Sequence, residues 1–565
     1  MINPKKTVLL LPSPKPSLDL DFSRNCNIGE VTASRGTTGI VVNQEGLNKT
    51  AQVNEVRFQG ARRVENLVTN TDFSTGWTNS ASTLVTGIAD PFGGNTGLRL
   101  TATSATGEVW KTINIPTTGH SFQTSAWIRR VSGTGPIRLY AAGSTSWITL
   151  TSEVTSTYKR FCSGVLARNT TVIFDIAAMT SGDVIEIAGP LIEDVTGQAN
   201  TAPSEYVSVG VLSAPWQGAG RDGVQYFTTT NGNTVASNVV TEAAGTPLTT
   251  TITLLGEEVR ANDFTYSEQI DNAIWSFNNN TITANAAVAP DGTSTADKNI
   301  PNAVNSFHRG QQTISVTSGT TYTVSFFVKA AGYNYVQLFT NTGFDATNSW
   351  VNFDLTNGTV GYVGPGTFTY SIVPLANSWY RISSTAAATS TSGTGSIAIA
   401  VLNANTNSRA NLAIFSGNTT SGIYMWGAQW EAASNASSYI PTTTVAVPRA
   451  ADVASFTGAG LSWYNAQQGT FAITASGQAF RTPSPFGAFN LTLPTAGTYA
   501  LQYNNAVSDG STYLYTAAGG ATPTEYTGIA VPTTILLLNG GLVNISNFTY
   551  YASALPTATI VGMLT

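Results

Sequence analysis

The side chains best suited to chemistry in this chain are aromatics and amides that share a strand face, and their chemistry is recognition. In YNYVQLF (333–339) the two-residue period of a strand puts Tyr333, Tyr335, Gln337 and Phe339 on one face and Asn334, Val336 and Leu338 on the other; Trp350 follows shortly. Tyr140 and Trp147 supply the same types earlier in the chain, with Trp147 corresponding to Trp350. Aromatic planes accept the C–H faces of sugars, and a few amides or carboxylates fix the hydroxyls. The candidate glycan-binding set is therefore Tyr333, Tyr335, Gln337, Trp350, Tyr140 and Trp147, against the alternative that these rings are simply core.

Catalysis needs a constellation that the sequence does not assemble. The two histidines, His120 and His308, have no Ser or Cys motif of nucleophile type beside them. Carboxylate pairs occur as Asp19 with Asp21 and Glu257 with Glu258, in settings that offer no cleft. Glu193 and Glu431 recur at matching places, which fits strand capping better than two catalytic events. Asp90–Pro91 and Pro290–Asp291 mark matching turns, and turn formation accounts for Asp beside Pro, so no metal is assigned. Cys26 and Cys162 lack metal-type spacing and read as buried free thiols. The expectation is a chain without enzymatic activity and without a cofactor.

The elements that carry these residues are strands. Only 10% of the 565 residues are charged, another 10% are aromatic, and Thr, Ser, Asn and Gly fill much of the rest. Such a mixture suits pleated sheets and tight turns and is too aromatic for disorder. Two stretches repeat one order of motifs. NLVTNTDFSTGW (66–77) answers NDFTYSEQIDNAIW (262–275), and SFQTSAWIRR (121–130) answers YTVSFFVKAA (322–331). Arg160 pairs with Arg381, Gly189 with Gly427, Glu193 with Glu431, and Tyr206 with Tyr439. Fixed order at low identity predicts one fold used twice, with an insert in the second copy around residues 340–376. Trp77, Trp275, Trp379 and Trp426 are assigned to packing. The division is an N-terminal attachment arm with short strands (1–64), module 1 (65–207), a β connector (208–260), module 2 (261–453) and a last β-sandwich (454–565). In the connector, GRDGVQYFTTTNGNTVA (220–236) has an Asn-Gly hairpin signal.

Charge and apolar runs narrow the partners. Net charge is −5, yet the first 65 residues hold nine Lys/Arg against six Asp/Glu, so a basic end precedes an acidic body. This is far from the cationic density that phosphate contacts require, which argues against nucleic acid. VLLL (8–11) is cut off by Pro12, Pro14 and Pro16, too short for a secretory segment or a membrane span. Neither membrane insertion nor a signal peptide is expected.

The openings NLVTNTDFSTGW and FTYSEQIDNAIW (264–275), the strand YTVSFFVKAAG (322–332), and SGIYMWGAQWEAASNASSYIPTT (421–443) followed by RAADV (449–453) carry a resemblance. They resemble the tandem jelly-roll modules, similar to carbohydrate-binding modules, of tailed-bacteriophage virion proteins. LDLDFSRN (18–25) through NEVRF (54–58) is similar to the leader of such proteins, and the region beyond 453 resembles a shortened concanavalin-like lectin sandwich. Module 1 departs from the pattern by having APSEYV (202–207) where module 2 has SYIPT. The resemblance implies an all-β virion component, a tail fibre or tail-associated fibre. Such a chain assembles as a homotrimer, attaches to other virion proteins through its N-terminal segment and meets host-surface glycans. The alternatives are a capsid-bound head fibre, decoration or joint protein with a purely structural role, and a polysaccharide depolymerase.

Overall fold

The computed structural model describes residues 31–198 and 253–457, except 44–45, 61, 116–118, 141–146, 151, 169–170, 179 and 346–347. It also describes residues 18–21, 201, 203, 206, 210–214, 228–229 and 242–243, the strands between 468 and 551, and residues 555 and 560. The protein is all-β, and its repeats are tandem jelly-roll sandwiches. Contacts divide it into two units. One comprises Met1–Ser34, Thr251–Glu258 and Ala451–Thr565; the other comprises Arg35–Thr250 and Val259–Ala450 and holds both modules.

The modules share one topology. In module 1 the first sheet runs, edge to edge, Trp147–Thr149, Ile137–Tyr140, Thr171–Ala178, Gly107–Asn114, Thr78–Ser80. Its partner sheet runs Lys159–Arg168, His120–Ser132, Val184–Asp194, Gly97–Ala102, Ser82–Ile88. In module 2 the first sheet is Trp350–Asp354, Tyr335–Thr340, Ile397–Leu402, Arg309–Gln311, Ser276–Asn278, and the second is Tyr380–Ala387, Thr321–Ala331, Gly422–Glu431, Ala296–Pro301, Asn280–Ala287. Strand for strand the orders coincide. Module 2 adds Thr359–Val363 to one sheet and Thr369–Pro374 to the other, which is the insert that the sequence shows. Each sandwich encloses its own core, with Leu100, Phe161, Phe174 and Ile187 in module 1 and Phe326, Leu338, Ile399 and Trp430 in module 2.

The paired motifs meet in one device. In both modules the register slips by one residue between the central strand and its neighbour: Ser125↔Leu191 is followed by Trp127↔Ala188, and Ser325↔Gln429 by Phe327↔Trp426. The extra residue is accommodated at Gly189 (φ 57°) and Gly427 (φ 60°), a left-handed backbone that glycine adopts without strain. The bare glycine lets an aromatic ring lie on the backbone, since a Cβ there would sit 2.8 Å from Trp127 or 2.7 Å from Phe327. On that ring rests a guanidinium, Arg160 at 4.5 Å from Trp127 and Arg381 at 5.2 Å from Phe327, each also bonded to a serine, Ser125 or Ser325. Tyr206 or Tyr439 packs edge-on against the same ring. Asn66 and Asn262 brace the bulge by accepting from the backbone N–H of Ile192 and Trp430 and donating to Pro190 and Ala428.

The boundary expected at residue 64 lies elsewhere. Leu18–Asp21 pairs with Asn547–Tyr550, and Val31–Ser34 pairs with Val453–Thr457, so the leader completes the sheets of the C-terminal unit. There Val543–Tyr551 lies between Gln468–Ser476 and Thr253–Gly256. From Arg35 onward the chain belongs with the modules. The hairpin of Gly39–Val42 and Asn48–Ala51 joins them, Asn48 N–H donating to Pro290 O (3.0 Å) and Lys49 Nζ to Thr196 O (3.2 Å). Beside it Gly197 meets Gly292, where a Cβ on Gly197 would lie 2.6 Å from the Gly292 Cα. Of the connector, Thr228–Thr229 pairs with Glu242–Ala243, and the Asn-Gly turn itself, like residues 1–17 and Cys26, lies outside the described residues.

Gly427→Ala forces a left-handed alanine against the Phe327 ring and is expected to destabilise the module-bearing unit by about 1–3 kcal/mol. Gly393→Ala, where nothing lies within 4 Å, should stay within about 0.5 kcal/mol of wild type. Chemical unfolding followed by tryptophan fluorescence compares the two.

Candidate functional site

The shared topology places the candidate aromatics on equivalent sheet faces and then treats those faces differently. Tyr140 pairs with Trp147 across two strands, as Phe339 pairs with Trp350. In module 1 both rings are half-buried, with centroids 4.9 Å apart. In module 2 the corresponding rings lie inside. Gln337 and Trp350, expected at a sugar-binding surface, are 0% and 6% exposed.

The cause is one loop. In module 2 the connection from Leu402 to Gly422 folds back over the sheet. Gln337 is spent on it, accepting from Ala410 N–H (2.6 Å) and donating to Ser408 O (3.0 Å), while Asn352 donates to Thr406 O (2.8 Å). Arg409 lies 4.6 Å over the Phe339 ring and donates to Thr340 O. Tyr335 is half-buried beside this cluster, and Tyr333, which precedes the strand, turns edge-on to Phe415. In module 1 the matching connection, from Ala178 to Val184, is taken up by a turn in which Asp183 N–H donates to Thr180 O. Among the described residues no long connection of this kind covers the sheet face.

The open face carries two functional candidates that sequence reasoning passed over. Phe174 and Ile176 point into the core, so Asp175 between them points out, and it pairs directly with Trp110. Leu139↔Ile176 sets Tyr140 beside Asp175 from the other side. The result is a row across four strands: Trp147, Tyr140, Asp175, Trp110. Asp175 is 8% exposed, and its Oδ1 has no hydrogen-bond partner among the described residues. An unmet buried acceptor costs about 1–3 kcal/mol. Burial first, and the Glu108 charge second, push its carboxyl up to about 7. Arg138 and Glu108 stand one row away, both opposite Ala177, and Arg138 Nε is likewise unpartnered. The signal was present in TVIFDIAA (171–178), where one acid interrupts an apolar strand on the outward phase.

The other polar residues that the sequence singled out make contacts within the fold. His308 is 1% exposed, with Nδ1 2.7 Å from Asn279 O and Nε2 3.0 Å from Phe415 O. His120 contacts Asp194 at 2.5 Å, and that hydrogen bond, offset in part by burial, raises its pKa. Burial pushes Asp90 up, but hydrogen bonds from Thr96, Gly94 and Phe92 outweigh it and hold the carboxyl low. Asp291 closes its turn onto Thr293. Glu431 accepts from Ser437 N–H and Oγ, the strand-end cap expected of it. A recess of about 310 Å³ in module 2 is lined by Glu268, Asp271 and Asp297 with Gln269, Asn272 and Asn285. Asp297 there accepts the N–H groups of Asp271 and Asn285, and Glu268, which burial and Asp291 push up to about 7, accepts from Tyr439.

No protein-family model matches the chain, and no curated protein does. Among solved structures it is similar to the tandem CBM22-1–CBM22-2 domain at the N-terminus of Xyn10C from Paenibacillus barcinonensis, at 10% identity and TM-score 0.20, covering 66% of this chain and 97% of that one. Procruciferin, an 11S globulin from Brassica napus, is similar at 10% identity and TM-score 0.11, covering 66% and 84%. Superpositions this loose carry no weight for the ligand.

Asp175 also leaves a thermodynamic mark. Its carboxyl titrates near 3.8 in the unfolded chain and about 7 in the fold, so the folded state holds a proton that the unfolded state releases. The charge adds no penalty below the lower value, and stability falls as pH rises toward the upper one. Asp175→Asn is expected to match wild type at pH 4 and to be ~1–3 kcal/mol more stable at pH 8. Denaturation midpoints of both proteins across that range measure it.

Proposed function

We propose that the chain is a non-enzymatic bacteriophage virion protein, a tail fibre or tail-associated fibre, that adheres to host-surface glycans. Its work is done by contact. The observation that carries this reading is the open aromatic face of module 1, with Tyr140 and Trp147 side by side and a poorly solvated acid next to them. Phage origin rests on the resemblance of the repeated motifs, and so does assembly as a homotrimer with other virion proteins bound through the N-terminal segment. Single sites of this kind bind weakly; three copies on one particle raise the effective affinity by multivalency.

The closed face of module 2 favours a spacer role for that half. Extended to both modules, the same role gives the second reading, a capsid-bound head fibre, decoration or joint protein.

Antibody labelling of intact particles, viewed by electron microscopy, is expected to mark the tail, and label on the head would reject the tail-fibre assignment. On a glycan array the full chain is expected to bind. Tyr140→Ala or Trp147→Ala should weaken each hit by about 0.5–1.5 kcal/mol, roughly 2- to 12-fold, while Tyr335→Ala leaves it unchanged. Absence of any hit at millimolar glycan would leave only the structural role.

A further inference from the structure

Resting on the adhesion reading, we propose that the row Trp147–Tyr140–Asp175–Trp110 seats an uncharged glycan chain lying across the strands of module 1, and that module 2 binds none. The row runs perpendicular to the strands and crosses three strand spacings, roughly 14 Å in all. That length takes a short run of successive sugar rings, each meeting a different side chain. The aromatic ends offer flat apolar faces to ring C–H groups, and Asp175 between them offers an acceptor.

Asp175 selects the ligand. Its Oδ1 is buried and has no hydrogen-bond partner among the described residues, so a hydroxyl donor admitted by a small shift of the flanking rings satisfies an acceptor that the free protein leaves unmet. Charge settles the class. Among the described residues of these two rows the acids Asp175 and Glu108 outnumber the one cation, Arg138, and a carboxylated or sulfated sugar would add further negative charge beside them. Hydroxyls of a neutral hexose or pentose chain meet no such conflict.

Module 2 makes the complementary case with the same backbone. At the register position of Asp175 it has Ala398, paired with Phe339, and Gly310↔Ile399 brings Gln311, in the place of Trp110, beside it. Gln311 is occupied by Asn341 and Ser396. The face that lacks the acid and the second tryptophan is the one that the chain's own Arg409–Ala410 segment covers.

The test uses the full-length protein on immobilised neutral polysaccharides (glucan, mannan, galactan, xylan) beside sialylated and polyuronate glycans, with titration calorimetry on the hits. Binding to at least one neutral polymer is expected, weakened on the order of ten-fold by Asp175→Ala and by Trp110→Ala. Asp175→Ala installs the residue that module 2 carries at this position, and a thermal melt checks that the fold is kept. Arg409→Ala should leave binding unchanged. If neutral glycans bind and both variants bind equally well, the row is not the seat, although adhesion stands. Binding confined to acidic glycans overturns the uncharged class. Silence toward every glycan removes the adhesion reading and this inference with it, and capture of a peptide at the same face would do so too.

Discussion

One displaced residue organises each module. The bulge at Gly189, and again at Gly427, breaks the ladder beside the central strand and leaves a patch of backbone bare of Cβ. An aromatic ring settles there, Trp127 or Phe327, and a guanidinium covers it. Such a stack adds about 0.5–2 kcal/mol beyond the area buried. Its larger effect is geometric, because a bulge bends and twists the strand that carries it. The sheet that closes over the core, and hence the outward face of the opposite sheet, takes its shape from this point.

Identical topology has been put to different use. Both modules place an aromatic pair at the same register, and the loop that follows the central strand of that sheet decides whether the pair meets solvent. In module 2 the loop supplies hydrogen bonds to Gln337 and Asn352 and a guanidinium to Phe339, groups of the kind a ligand would otherwise bring. Burying the Trp350 side chain this way contributes stability of the order expected for any large apolar group leaving water. Module 1 has an acid and a second tryptophan at these positions and lacks that stabilisation.

What could be read in the sequence follows a physical boundary between local and distant information. The pairs Arg160/Arg381, Gly189/Gly427 and Tyr206/Tyr439 were legible because a duplicated fold repeats its strictest requirements, and the structure brings each set together around one ring. Alternation along YNYVQLF separated Val336 and Leu338 from Gln337 and Phe339 correctly. It could not reveal the burial of Gln337 and Trp350, since the covering segment begins more than fifty residues after Trp350. The partner of Leu18–Asp21 is farther still, at Asn547–Tyr550, so the leader's membership of the C-terminal unit was invisible to any local pattern. Asp175 was within reach of the two-residue period, as the one acid on the outward phase of an apolar strand.

The junction of the modules has a mechanical consequence. Gly197 lies against Gly292, and the 39–51 hairpin is bonded to both partners, so the two sandwiches touch without intervening side chains at that point. A pull on one reaches the next through main-chain contact at that point. A junction of this sort hands displacement from one sandwich to the next directly, where a layer of side chains between them would first have to deform.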